Sequence, residues 1–233
     1  MVQVNNNTPI VLRVKFKKVG NLQYISHLDL VRTMHKIIVR AKLPLWYTEG
    51  FNPKPKMVFA APLSIGTESV CEYMDLRLTE RMDEGEALSR LNKNMTEDMQ
   101  VTEAYYPTSK LTDLKWLSYS ISIKTNGASD ALAKACEDYL LGERVEVSKK
   151  TKSKELAVVD IRPLIKSASV AFGGEYLSVA CVLSADPSAF LNPEYIVKAL
   201  RGGVGILSDA DLTQEYYSIM RERAYLAHMN EFR

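Results

Sequence analysis

Residues 24–30 read Tyr-Ile-Ser-His-Leu-Asp-Leu, and residues 50–56 read Gly-Phe-Asn-Pro-Lys-Pro-Lys. The first stretch opens a helix. Ser26 is followed three residues later by Asp29, a capping box of the form Ser-x-x-Asp. The serine hydroxyl accepts from a first-turn amide, and the carboxylate sits at the positive end of the helix dipole. Leu30, Val31, Met34, Ile37, Ile38 and Ala41 then recur at helical spacing and give one apolar face. Pro44 restricts Leu43 to extended conformations, so the helix stops before it.

The neighbouring segments extend this element into a pattern. Residues 11–17 alternate apolar and basic side chains, with the adjacent Val11 and Leu12 breaking strict period two, and predict a strand. A second strand is expected near 45–47, with 57–60 continuing its extended path past the Pro loop, followed by a longer strand at 70–79. A helix over 83–95 and a strand over 99–106 complete the order βαββαβ, the ferredoxin-like arrangement. The second half is read the same way. Strands are expected at 116–124, from 145, at 156–162, at 175–183 and at 212–221. Helices are expected at 130–141 and 193–200, with a loop at Gly202, Gly203 and Gly205. The expected fold is therefore α+β, with two ferredoxin-like (βαββαβ) halves built on antiparallel sheets. They span residues 1–110 and 111–233, with the boundary between Pro107 and Asp113.

Composition fits a folded protein: 46% of the 233 residues are hydrophobic and 25% charged. Cys71, Cys136 and Cys181 lie too far apart in sequence for a zinc or disulfide framework and read as buried thiols. The N-terminus is polar at Asn5, Asn6 and Asn7, and no stretch has the ~20 apolar residues of a membrane span. A cytoplasmic location is expected, with no cofactor and no metal. The sequence lacks a P-loop, a Gly-x-Ser-x-Gly elbow and a His-Glu-x-x-His pair. Gly202-Gly203-Val204-Gly205 follows a helix instead of opening one, so it does not match a dinucleotide fingerprint.

Net charge is only +2, but it is unevenly distributed. Residues 10–66 carry ten cations against two carboxylates, whereas residues 67–104 carry four against ten. Local fields of this kind steer polyanions. Within the basic block, Arg32, Lys36 and Arg40 fall at steps of four and form one helical stripe. The loop beyond it sets Phe51 and Asn52 beside Lys54 and Lys56. Its two X-Pro pairs hold the chain extended and stiff. Aromatic rings beside lysines suit stacked bases and phosphates. Farther on, Lys149, Lys150, Lys152 and Lys154 form a second cationic run ahead of Asp160 and Arg162. On a strand, Asp160 and Arg162 share a face, as a surface ion pair or as an arginine aimed at a phosphate. The plain alternative is a solvated surface for the helical stripe and the lysine run, and for the Pro-rich loop an ordinary rigid connection whose Phe51 packs inward.

The stretches at 24–30 and 50–56, with Phe-Ala-Ala-Pro-Leu-Ser-Ile-Gly at 59–66, resemble a bacterial domain family of unknown function called radical-SAM-linked or radical-SAM-associated. The resemblance covers about residues 10–80 and returns more weakly at Val-Asp-Ile-Arg-Pro, residues 159–163. It implies a stand-alone member, since the three dispersed cysteines are not the closely spaced trio of a radical SAM enzyme. It also implies a neighbourhood of ribonuclease G and ribosomal-protein genes. The candidate partners are thus RNA (tRNA or rRNA) and a radical SAM protein.

The expected function is an RNA-binding or RNA-processing accessory role with no catalytic motif of its own. Two alternatives stand beside it. One is an adaptor that docks a radical SAM enzyme. The other is a metal-independent RNA endonuclease or RNA-modifying enzyme using His27, by analogy with CRISPR repeat-RNA endonucleases. Those use a histidine at the first helix and a glycine-rich loop before the last strand. A histidine at a helix start is more often a surface or capping residue than a general base.

Overall fold

The computed structural model describes residues 8–150, 156–209, 211 and 213–233, with Lys150 described through its main chain alone. The chain divides into two compact units: residues 1–113 with Arg233, and residues 114–232.

In the N-terminal unit, β1 (Ile10–Lys18) leads into α1 (His27–Arg40), β2 (Met57–Phe59), β3 (Thr67–Leu78), α2 (Glu84–Asn92) and β4 (Val101–Tyr105). All pairings are antiparallel: β1 with β3, β1 with β4, and β2 with β3. The strand order is therefore β4-β1-β3-β2, that of a ferredoxin-like sheet. One face of it carries Leu12, Val14 and Phe16 of β1 and Met74, Leu76 and Leu78 of β3. These pack with Leu30, Met34, Ile37 and Ile38 of α1 and with Ala87 and Leu91 of α2. Each of these side chains other than Ala87 contributes about 1.5–3 kcal/mol on leaving water.

The helix starts follow their caps. Asp29 N–H donates to Ser26 Oγ at 3.1 Å, and Ser26 Oγ donates to Asp29 Oδ2 at 2.7 Å. Glu86 N–H donates to Asp83 Oδ1 at 2.8 Å to start α2. Val31, expected on the apolar face of α1, is only half-buried.

The C-terminal unit runs β5 (Trp116–Lys124), α3 (Asp130–Leu141), β6 (Glu146–Lys150), β7 (Leu156–Asp160), β8 (Ile165–Gly173), β9 (Tyr176–Ser184), α4 (Glu194–Gly203) and β10 (Tyr216–Tyr225). The pairings β10–β5, β5–β9 and β9–β8 are all antiparallel. The order β10-β5-β9-β8 again matches a ferredoxin-like sheet. Leu117, Tyr119, Ile121 and Ile123 of β5 are buried, in agreement with their alternation with serines. Cys136 and Cys181 are buried too, and burial pushes their thiols up to about 11 and about 12.

Three expectations are corrected here. The segments from 145 and at 156–162 are not strands of the main sheet. They form a separate hairpin, β6–β7, inserted after α3. The strand in that sheet position is β8, which the sequence reading passed over. Gly202 and Gly203 are not loop residues but the last turn of α4. A Cβ on Gly203 would lie 2.1 Å from the Tyr139 ring of α3, so this glycine permits two helices to approach closely. The expected start of the last strand at Leu212 lies outside the described residues, and the described strand begins at Tyr216.

Candidate nucleic-acid interface

α1 exposes Arg32, Lys36 and Arg40 on the side away from its core contacts. Arg32 is partly neutralised: its Nη1 lies 3.2 Å from Asp29 Oδ1, one turn earlier.

The Pro-rich segment folds as a small hairpin. Tyr47 and Pro55 form an antiparallel bridge. Thr48 N–H donates to the Lys54 carbonyl at 2.8 Å, and Lys54 N–H returns to Thr48 Oγ1 at 3.0 Å. The stem is also stitched to β3. Trp46 N–H donates to the Arg77 carbonyl at 2.8 Å, and Arg77 N–H to the Lys56 carbonyl at 3.0 Å. At the tip Phe51 stands wholly in solvent, at 112% of its reference exposure, with Asn52 exposed beside it. Phe51 is therefore no core residue. Lys54 and Lys56 are exposed on the returning limb.

Hairpin, helix and sheet enclose a cleft of about 670 Å³. Its walls include His35 of α1, Thr48, Lys54 and Lys56 of the hairpin, and Arg77 of β3. None of its lining residues is a carboxylate. Burial first, and then the positive charge of Lys54, lower the pKa of His35 below its ordinary value. Lys54 thus sits close to His35 of α1.

His35 and Arg77 were missed as site residues. Arg77 was hidden in a segment that counts as acidic overall, and only the β2–β3 pairing brings it next to Lys56.

Several cations of the basic block do not serve this surface. Arg13 is fully buried, with its Nε 2.7 Å from Asp75 Oδ1. Lys18 is buried, and Lys15 pairs with Glu103 at 3.0 Å.

His27 begins α1, and its ring packs edge-on against Phe59, with centroids 5.4 Å apart. Among the described residues, no hydrogen bond or ion pair orients it for proton transfer. The glycine-rich loop of the endonuclease analogy is a helix end here.

The C-terminal cations divide. Arg162 does not continue β7. It opens a short 3-10 turn, and its Nε and Nη1 donate to the carbonyls of Gly142 and Ile165 at 3.1 and 2.9 Å. These donors are spent on main chain, so the expectation of a phosphate-directed Arg162 is corrected to a staple at the base of the inserted hairpin. Asp160 does not pair with the guanidinium. It accepts from the amides of Val145 and Arg162 at 3.0 and 2.9 Å, which lower its pKa. Lys149 is exposed, and its Nζ lies 5.7 Å from the centre of the Tyr195 ring, where Lys198 also approaches at 5.0 Å. The side chain of Lys150 and the whole of Lys152 and Lys154 lie outside the described residues.

A family model described as "Uncharacterized protein conserved in bacteria (DUF2344)" matches residues 11–193. The chain belongs to this family. Members of the DUF2344 family carry no assigned activity in that description. Among curated proteins, none matches the chain. Two solved structures are similar at low identity. The first, titled "Crystal Structure of a Cbf5-Nop10-Gar1 Complex", has a TM-score of 0.47 and 10% identity. The match covers 91% of this chain and 48% of that one, so this chain spans about half its length. The second, an unknown protein from Galdieria sulphuraria, has a TM-score of 0.25 at 11% identity and covers 92% and 99% of the two chains. Likenesses of this strength say nothing about activity. Among the described residues, no helix is long and apolar enough to cross a membrane.

Proposed function

We propose that this protein binds RNA on the α1–hairpin face of its N-terminal unit, as an accessory factor in RNA processing or modification. The observation that carries the reading is Phe51. A phenylalanine fully in water, at the tip of a hairpin braced by its own hydrogen bonds, gains by covering its ring. A nucleobase is a suitable cover, because stacking of a base on an aromatic side chain is worth about 1–3 kcal/mol and tolerates any sequence. Lys36, Arg40, Lys54 and Lys56, all exposed nearby in the chain, would meet the phosphates on either side of the stacked base.

The test is binding of fluorescent single-stranded RNA to the wild-type chain across a salt series. Affinity should fall steeply with salt, and Phe51→Ala should weaken it at every salt concentration. Absence of binding at low salt removes the reading. Crosslinking in cells then identifies the RNA, with tRNA and rRNA as the first candidates. Recovery of a radical SAM enzyme with no RNA would favour the adaptor role that the radical-SAM-linked resemblance implies.

A further inference from the structure

We propose that the cleft between α1, the hairpin and β3 is a subsite for a terminal phosphate of the RNA, a phosphomonoester at a chain end rather than an internal phosphodiester. The inference rests on the RNA-binding reading and specifies which part of the RNA the cleft would take.

The geometry points there for three reasons. First, basic side chains converge from three separate elements: the imidazole of His35 from α1, the cations Lys54 and Lys56 from the hairpin, and the cation Arg77 from β3. Register fixes three of the four. Lys54 is tied to Thr48, and Lys56 is tied to Arg77 through main-chain hydrogen bonds. Second, the charge is not internally balanced. Among the described residues, no carboxylate lines the cleft or pairs with Lys54, Lys56 or Arg77. Like charges held together with no counter-charge repel, and an anion in their midst relieves that cost. Third, a cleft of about 670 Å³ falls in the size range of small-molecule sites and has room for a terminal nucleotide together with its phosphate.

A monoester suits this arrangement better than a diester does. It carries roughly −1.5 to −2 charge near neutral pH and presents three terminal oxygens. A diester offers a single charge and must continue the chain on both sides, which an exposed stripe such as Lys36 and Arg40 accommodates more readily than a concavity. Thr48, on the cleft wall, adds a hydroxyl, and Arg77 can engage two phosphate oxygens at once.

His35 makes the occupancy visible to pH. With no anion bound, burial and Lys54 favour its neutral form; the other charged groups lining the cleft, Lys56 and Arg77, are also cations. A phosphate dianion beside the ring reverses the balance and favours the imidazolium. Binding near neutral pH is therefore accompanied by proton uptake.

The experiment compares three oligoribonucleotides of one sequence: 5′-phosphorylated, 3′-phosphorylated, and with hydroxyls at both ends. One phosphorylated form should bind wild type on the order of tenfold more tightly than the hydroxyl form. Arg77→Gln and Lys54→Gln, with folding verified by thermal denaturation, should bring that ratio close to one. Lys36→Ala should weaken all three alike. Calorimetry in two buffers of different ionisation enthalpy should show proton uptake for the preferred form, which is lost in His35→Gln. Equal affinity of wild type for all three RNAs overturns the terminal-phosphate subsite and leaves RNA binding intact. Failure to bind any of them overturns both.

Discussion

Arg13 and Asp75 stand opposite one another on β1 and β3 and form a buried two-pronged ion pair. Nε and Nη2 of the arginine lie 2.7 and 3.1 Å from the two carboxylate oxygens. Ser109 also accepts from the arginine, from Nη1 at its hydroxyl and from Nη2 at its carbonyl, at 2.9 and 3.0 Å. Arg13 is wholly inaccessible, so its charge is cancelled inside the protein and contributes nothing to a phosphate surface.

Arg13→Met should accordingly cost about 3–5 kcal/mol of stability, because Asp75 is left charged and without its arginine in a buried position. The double variant Arg13→Met/Asp75→Leu should lose less than the single variant does. Chemical denaturation of the two proteins and wild type measures this. A double variant that loses the sum of two independent costs would show that the pair is not coupled.

Phe51→Ala and Lys54→Ala should separate stacking from charge. Phe51 touches no core, so its loss should leave stability within about 0.5 kcal/mol of wild type. RNA affinity should fall by about 1–3 kcal/mol with the salt slope unchanged. Lys54→Ala should instead reduce the log–log salt slope by somewhat less than one unit. If both variants keep wild-type affinity and slope while remaining folded, this face is simply solvated.

Gly203→Ala should destabilise the C-terminal unit by about 1–3 kcal/mol, since the added methyl meets the Tyr139 ring. Trimming that ring should make room. Gly203→Ala/Tyr139→Leu is expected to recover part of the loss in a thermal melt. A Gly203→Ala protein with wild-type melting would show that the ring moves aside at no cost.

Glu215 supplies a pH dependence. Its carboxylate accepts from Thr125 Oγ1 at 2.5 Å, from Asn126 N–H at 2.8 Å and from Asp209 N–H. The threonine hydroxyl first, and then these amides, lower its pKa below the ordinary 4.5. A carboxylate depressed by folding stabilises the native state above its unfolded value. That contribution is lost as pH falls through the lower, folded value. Glu215→Gln should therefore melt below wild type at pH 7, and the gap should narrow as pH drops below about 4.5. A gap that stays constant down the acid limb would mean the ionised form is not what these donors stabilise.

The two units were not equally legible. In the first, each local signal agrees with its neighbours: a capped helix with an apolar face, and a β1 that alternates. In the second, the insertion misled the reading. Val145, Val147, Val158 and Val159 are β-branched and look like a sheet core, yet they belong to the β6–β7 hairpin and its approach. β8, the true edge of the sheet, reads Ile-Lys-Ser-Ala-Ser-Val-Ala-Phe-Gly, and only Ile165 in it is fully buried. An edge strand made largely of small and polar residues has little apolar alternation to detect, and its place is set by pairing with β9. Glu137 of α3, which accepts from Val170 N–H at 2.8 Å, adds a tertiary tie that no local pattern announces.

By itself the sequence determined the start of α1, its apolar face, the strand alternation and hence the ferredoxin-like order of the first unit. All of these depend on side chains within a few residues of one another. Only the tertiary structure decided which charges meet water and which meet each other. Arg13 and Lys54 are both cations of one basic block, yet β1–β3 pairing buries Arg13 against Asp75, while the hairpin holds Lys54 in solvent beside His35. Arg77 lies in an acidic stretch of chain and reaches the same cleft because strand register carries it next to Lys56. Coulombic and desolvation energies depend on distance and burial, and neither is written in the spacing of residues along a chain.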